Sequence, residues 1–284
     1  MSATSFISAG TAALGIALAL ASGGALAATE PLTAPKDAKP GFVADYTIYI
    51  GGFMAAEGSI DATIEEGAYL VRSNLGVAGM PARLYNAQWD MTSEGNLAGE
   101  KLRPSRFAFR SDEKGEVKER EITYDASGVP TPVFDPPEDN LADILPFERR
   151  NALDPVSALL LPVASTGNPC NRRVPVFDGK RRYDLQLDYE RKDRVTTRDN
   201  GYSGDAVICS VRVMPRTGMK QGRFTAMLQQ RNNTRIWLAA IDGGDIYIPV
   251  RIQVRTPVGA AVMDVVKLRR TLPAGEREID TAMK

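Results

Sequence analysis

The chain contains no histidine. That absence removes Ser-His-Asp and Cys-His catalysis and the ordinary general base near neutral pH. It also removes His-ligated zinc, copper and iron sites. Cysteine is nearly as scarce, with only Cys170 and Cys209, so thiolate metal clusters are excluded as well. Neither sign of charge is in excess, because 35 Lys and Arg balance 35 Asp and Glu. A neutral chain has no general electrostatic reason to bind nucleic acid or anionic lipid, although local basic clusters can still act. No Gly-rich phosphate loop is present either. An enzyme built on paired carboxylates or lysine is still chemically open, but the expectation is a protein that is not an enzyme and needs no cofactor or metal.

The N-terminus lacks basic residues yet carries a long apolar run. Phe6 to Ala27 is almost free of polar side chains and ends in Ala25-Leu26-Ala27, the small-x-small pattern of a secretory leader. Residues 1–27 are therefore expected to be a cleaved signal peptide. Glycines and serines within the run argue against a permanent transmembrane anchor. Export to the periplasm follows, with a protein that is not integral to the membrane once the leader is gone. In an oxidising compartment Cys170 and Cys209 are expected to pair as a disulfide. Two separate buried thiols remain the alternative.

Beyond a proline-containing linker at 28–40, the pattern changes to period two. Phe42, Ala44, Tyr46, Ile48 and Ile50 alternate with Val43, Asp45, Thr47 and Tyr49, the mark of a strand with one buried face. Similar alternation recurs at Ala56–Ile64 and Leu84–Thr92, and Tyr69–Leu75, Arg106–Arg110 and Val117–Tyr124 read as further strands. It returns at Tyr183–Tyr189, Val207–Val213, Phe224–Leu228, Ile236–Ala240, Ile246–Val254 and Ala261–Leu268. Ser93-Glu94-Gly95-Asn96 reads as a turn. Asp125–Asp139 is proline-rich and reads as a surface loop and internal boundary. One helix is expected at Asp154–Leu161, with an N-cap aspartate and Pro155 at its first position. The fold class is mainly β, an open or curled antiparallel barrel or half-barrel with one or two short helices. One β-rich domain would span 41–272, followed by a polar tail at 273–284.

The candidate contact residues come in two groups. Asp178, Lys180, Arg181, Arg182 and Asp184 surround a turn signal, Asp178-Gly179. Their donors would suit a carboxylate, phosphate or lipid headgroup; the alternative is a hairpin tip with solvated charges. Arg251 and Arg255 share one face of the longest alternating run, and either line a cavity or sit on the wet face of a sheet. Three weaker patterns are set aside. Asp242-Gly243-Gly244-Asp245 lacks the oxygens calcium needs. Thr217-Gly218-Met219-Lys220 has acyl-transferase spacing without its partner motifs. Nothing fixes the separation of Asp61, Glu65 and Glu66 as a catalytic carboxylate pair.

Three stretches carry a resemblance to a known family. They are Leu153-Asp154-Pro155-Val156-Ser157-Ala158-Leu159; Cys170 through Asp178-Gly179-Lys180-Arg181-Arg182-Tyr183-Asp184-Leu185; and Trp237-Leu238 through Ile248-Pro249-Val250-Arg251-Ile252 to Gly259. Over residues 42 to 270 the chain resembles the bacterial envelope family named domain of unknown function 3108. The resemblance implies an exported β-rich fold similar to the curled half-barrels of lipoprotein carriers, and no established activity. The expected role is a non-catalytic periplasmic envelope protein that holds a lipid or acyl chain in its curled sheet. The alternatives are a protein–protein adaptor or scaffold that binds an envelope protein, and a histidine-independent hydrolase.

Overall fold

The computed structural model describes residues 41–271, apart from 66, 140, 164–166 and 242–244. The leader, the linker, the C-terminal tail, Glu66 and most of Asp242–Asp245 thus lie outside the described residues. Strand β1 (Gly41–Ile50) buries Phe42, Ala44 and Tyr46 on one face, as its alternation requires. From it the chain meanders through β2 (Phe53–Glu65), β3 (Ala68–Val77), β4 (Ala87–Ala98), β5 (Lys101–Glu113), β6 (Glu116–Tyr124) and β7 (Pro130–Asp135). A second run holds β8 (Leu161–Pro162), β9 (Arg172–Phe177), β10 (Arg182–Thr196), β11 (Ser203–Thr217), β12 (Thr234–Ile241), β13 (Ile246–Thr256) and β14 (Gly259–Thr271).

β14 pairs with β1, which joins both meanders into one antiparallel sheet in the order β7-β6-β5-β4-β3-β2-β1-β14-β13-β12-β11-β10-β9, with β8 attached to β13. The sheet curls into a nearly closed barrel. Its open edges are β7 and β9. Leu153 occupies the β9 edge: its N–H donates to Pro175 O at 2.8 Å and its carbonyl accepts from Phe177 N at 2.8 Å. Asn151 N donates to Gly128 O at 2.8 Å, beside β7. The same short segment therefore touches both edges.

Residues 152–163, the crossing segment, then serve two apolar clusters. Ala152, Val156 and Leu160 join a large core with Phe42, Tyr46, Ile60, Val71, Phe107, Ile122 and Ile248. Ala158 and Leu161 join a second core with Val174, Val176, Leu187, Val207, Cys209 and Leu238. The space bounded by Phe42, Tyr46, Ile60, Val71, Val156, Leu160 and Ile248 has no room for a water molecule. At this point the chain fills its own barrel.

Four sequence readings are corrected. Asp154–Leu161 is not a helix but one 3-10 turn at Ser157–Leu159, leading into β8. Eight residues are too few to hold a helix without tertiary support, and here Leu161 pairs with Tyr247 instead. Ser93–Asn96 is not a turn. β4 runs through it, with a bulge between Glu94 and Gly95. A Cβ on Gly95 would lie 2.3 Å from Arg103 O, so glycine marks a close strand approach. The proline-rich loop contains β7, an edge strand where a missing N–H costs no ladder bond, and so it is no domain boundary. Finally, Phe224, Ala226 and Leu228 lie on helix α2 (Arg223–Leu228), not a strand. The other short helix is α1 (Pro146–Arg149).

Candidate functional site

The most concentrated buried polar group sits where the crossing segment meets the core, around Asp154, which is fully inaccessible. Its Oδ1 accepts from the backbone N–H groups of Val156 and Ser157, both at 2.9 Å. This is the capping role read from the sequence, transferred to a single turn. Its Oδ2 accepts from Ser157 Oγ at 2.6 Å and Ser93 Oγ at 2.8 Å. Ser93 and Ser157 hydroxyls lie 2.7 Å apart, and Tyr69 OH is 2.8 Å from Ser157 Oγ. Burial raises the Asp154 pKa, and the four hydrogen bonds oppose that rise. Sequence reasoning missed Ser93, Tyr69 and Ser157 as partners, because Ser93 comes from β4, 61 residues away. A serine beside a carboxylate suggests nucleophile chemistry, but Ser93, Ser157 and Asp154 are sealed from solvent and bonded to one another. The cluster anchors the crossing segment.

That assignment has a pH signature. A carboxyl whose folded pKa is raised favours the folded state at low pH, and the advantage is lost as pH rises through the folded value. Asp154→Asn keeps the oxygen that caps Val156 and Ser157 and removes the charge. We expect a cost of about 1 kcal/mol at neutral pH. On mild acidification the Asp154 contribution to stability should rise in the wild type and be absent in the variant. Thermal melts across pH check this, and parallel wild-type and variant curves would refute it.

The run Asp178–Asp184 forms the clasp of the barrel. Asp178 Oδ1 accepts from the N–H groups of Lys180 (2.9 Å) and Arg181 (2.7 Å), which closes the expected hairpin turn with Gly179 at φ 93°. Arg181 Nε lies 3.0 Å from Asp178 Oδ2. The turn leans against the opposite edge. Lys180 pairs with Glu138 and lies over the Phe134 ring. The backbone of Gly179 passes so near Arg120 that a Cβ would sit 2.6 Å from its Cδ. Arg120 in turn covers the Phe109 ring. Arg182 donates to Glu148 O in α1 at 2.9 Å and to Asp184 Oδ1 at 2.6 Å. Asp184 also accepts from Arg216 at 2.7 and 2.9 Å. Burial alone would raise the Asp184 pKa, but the bonds from Arg182 and Arg216 outweigh it and hold the carboxyl below its usual range. Of this group only Arg181 is well exposed; the rest spend their donors and acceptors inside the protein.

Arg251 and Arg255 separate. Arg251 makes a two-pronged contact with buried Asp264, at 2.5 and 3.2 Å, and lies near the Trp237 ring. Its Nη2 also reaches Thr196 O at 3.3 Å, and Arg198 stands 3.7 Å from Asp264. These bonds tie the β10–β11 hairpin to β13 and β14. Arg255 is a surface residue. Cys170 and Cys209 are joined, with Cα atoms 5.8 Å apart. Thr217 donates to Glu148 and does not engage Lys220. Among the described residues no set of three Asp, Glu or Cys groups is placed to hold a metal ion. No helix among them is long and apolar enough to cross a membrane.

Comparison with known proteins agrees with this architecture. The family model described as protein of unknown function, DUF3108, matches residues 45–266. The crystal structure of a beta-barrel-like protein of domain of unknown function DUF1849 from Brucella abortus superposes with a TM-score of 0.52. That match has 10% identity and covers 83% of this chain and 99% of the other, so it shows likeness of fold alone. A comparison with curated proteins finds no match.

Proposed function

The chain belongs to the DUF3108 family, and from that premise we propose that it is an exported, non-catalytic scaffold of the cell envelope, working through its outer surface. The packing of Val156 and Leu160 against the interior wall is the observation that carries this reading. An acyl-chain carrier needs an apolar void, and the interior wall of Phe42, Ile60, Val71 and Ile248 is packed directly against Val156 and Leu160. Opening it would mean withdrawing residues 152–163, which are held by the Asp154 cluster and by β8. The chain without histidine and the sealed Asp154 cluster support a role other than catalysis. The apolar leader and the cysteine pair support export.

Native mass spectrometry of protein recovered from an envelope fraction tests the reading. The expected result is the bare chain, shortened by its leader, together with specific protein crosslinks in the cell. A lipid retained in one-to-one ratio without detergent would overturn the scaffold in favour of a carrier. Recovery from the cytosol with the leader attached would overturn the export step.

A further inference from the structure

One end of the barrel differs from the other in chemistry. The β1–β2 turn, the β3–β4 loop, the β5–β6 turn and the β13–β14 turn meet there. Gly51 N donates to Ala260 O at 3.0 Å, Ala78 N to Ala55 O at 3.0 Å, and Lys114 N to Asn86 O at 3.1 Å. Large apolar side chains stand on these turns in the open: Phe53 is 70% exposed, Met80 71%, Leu84 88% and Val258 73%. Exposed apolar residues scattered singly need no explanation, but a cluster drawn from turns far apart in sequence does. The turn residues 51–52, 78–86, 114–115 and 257–258 contain two cations, Arg83 and Lys114, and no carboxylate. The nearest acids on the strands are engaged. Glu113 accepts from Tyr85 OH at 2.5 Å and Trp89 Nε1 at 3.4 Å, and Glu116 pairs with Lys118 at 2.8 Å. Lys114 also lies over the Tyr85 ring.

At the far end of the same strands, the turns after β2, β4 and β6 expose none of the large apolar residues. The first end thus exposes large apolar side chains on its turns, and these three turns of the second end do not.

We propose that this rim docks the barrel end-on to an anionic lipid bilayer, with Phe53, Met80, Leu84 and Val258 entering the interface. Separate knobs on four turns suit a fluid surface, which fills around each one, better than a protein partner, which would need a matching socket for each. Arg83 and Lys114 then lie at headgroup depth, where each basic residue adds attraction to anionic lipid. Tyr85 and Trp89, behind the tips, have the mixed character that favours the water–membrane boundary. The inference goes beyond the scaffold reading and depends only on the rim.

The test is sedimentation of the full chain with vesicles of phosphatidylethanolamine and phosphatidylglycerol, and with neutral phosphatidylcholine vesicles. Wild type and variants share residues 1–40, so differences between them report the rim. Phe53→Ser with Leu84→Ser should weaken binding at least about tenfold, since each removes a side chain of the size that contributes most to transfer. Arg83→Glu with Lys114→Glu should weaken binding to the anionic vesicles only. Val133→Ser removes an apolar residue that is 65% exposed on β7, away from the rim, and should change nothing. Matching melting curves will show that all variants fold. Equal binding by wild type and the Phe53/Leu84 variant overturns the proposal, as does no wild-type binding. A photoreactive residue in place of Leu84 should label lipid in the cell, and a discrete protein adduct without lipid would also overturn it.

Discussion

Cys209→Ala should destabilise the native fold by about 4 kcal/mol, the loop-closure entropy expected for a bridge of this span. The two cysteines are 39 residues apart, and the closed loop contains β9, β10 and the first part of β11. Both sulfurs are buried in the second apolar core, at 3% and 0% exposure for the two residues. The bond thus does two things: it constrains the unfolded chain, and it fixes the approach to β9 over the centre of β11. Reduced wild type, Cys170→Ala and Cys209→Ala should all lose similar stability, and the double variant should lose little more than either single one. For a domain of this size the shift is on the order of 10 °C in melting temperature. Denaturant melts with and without reductant provide the measurement. A midpoint unmoved by reductant would show that packing alone holds the approach to β9 against β11.

Much of the fold was legible because antiparallel strands with one wet face write themselves at period two. β1, β10 and β13 were readable in that way, and so was the Asp178-Gly179 turn. The readings failed where local chemistry and tertiary demand diverge. Ser93–Asn96 has turn composition, yet Ser93 is spent on Asp154 and Gly95 on a bulge. Prolines argued for a loop at Asp125–Asp139, but an edge strand has N–H groups to spare. Phe224, Ala226 and Leu228 alternate by coincidence on a six-residue helix. The internal partners of Lys180, Arg182 and Asp184 were not legible for another reason. Charges in a run look solvated until their partners are known, and the partners Glu138, Glu148 and Arg216 lie 42, 34 and 32 residues away. The disulfide was legible from compartment logic and residue count, without any geometry. The rim of exposed apolar turns was not, because its members are single residues in four different connections.

Asp184→Ala should be the most damaging single substitution in the clasp, at about 3–5 kcal/mol, because it strands a buried cation. Asp184 is 2% exposed, and the Arg182 side chain beside it is 11% exposed. Without the carboxylate, Arg182 keeps only the carbonyls of Tyr183 and Glu148. Asp184→Asn retains one acceptor oxygen and should cost less. Arg216→Ala should cost less again, since that side chain is 45% exposed and water can replace it. The pH dependence carries the opposite sign to that of Asp154. Arg182 and Arg216 depress the folded pKa of Asp184, so its stabilisation is complete above the ordinary aspartate range. It is lost as pH falls through the depressed value. Wild type should therefore show an acid limb that flattens in Asp184→Asn, while Asp154→Asn should steepen the net loss by removing the group that gains on acidification. If Asp184→Ala melts within about 1 kcal/mol of wild type, the clasp is no more than a surface ion pair, and the barrel must be closed by Leu153 and the crossing segment alone.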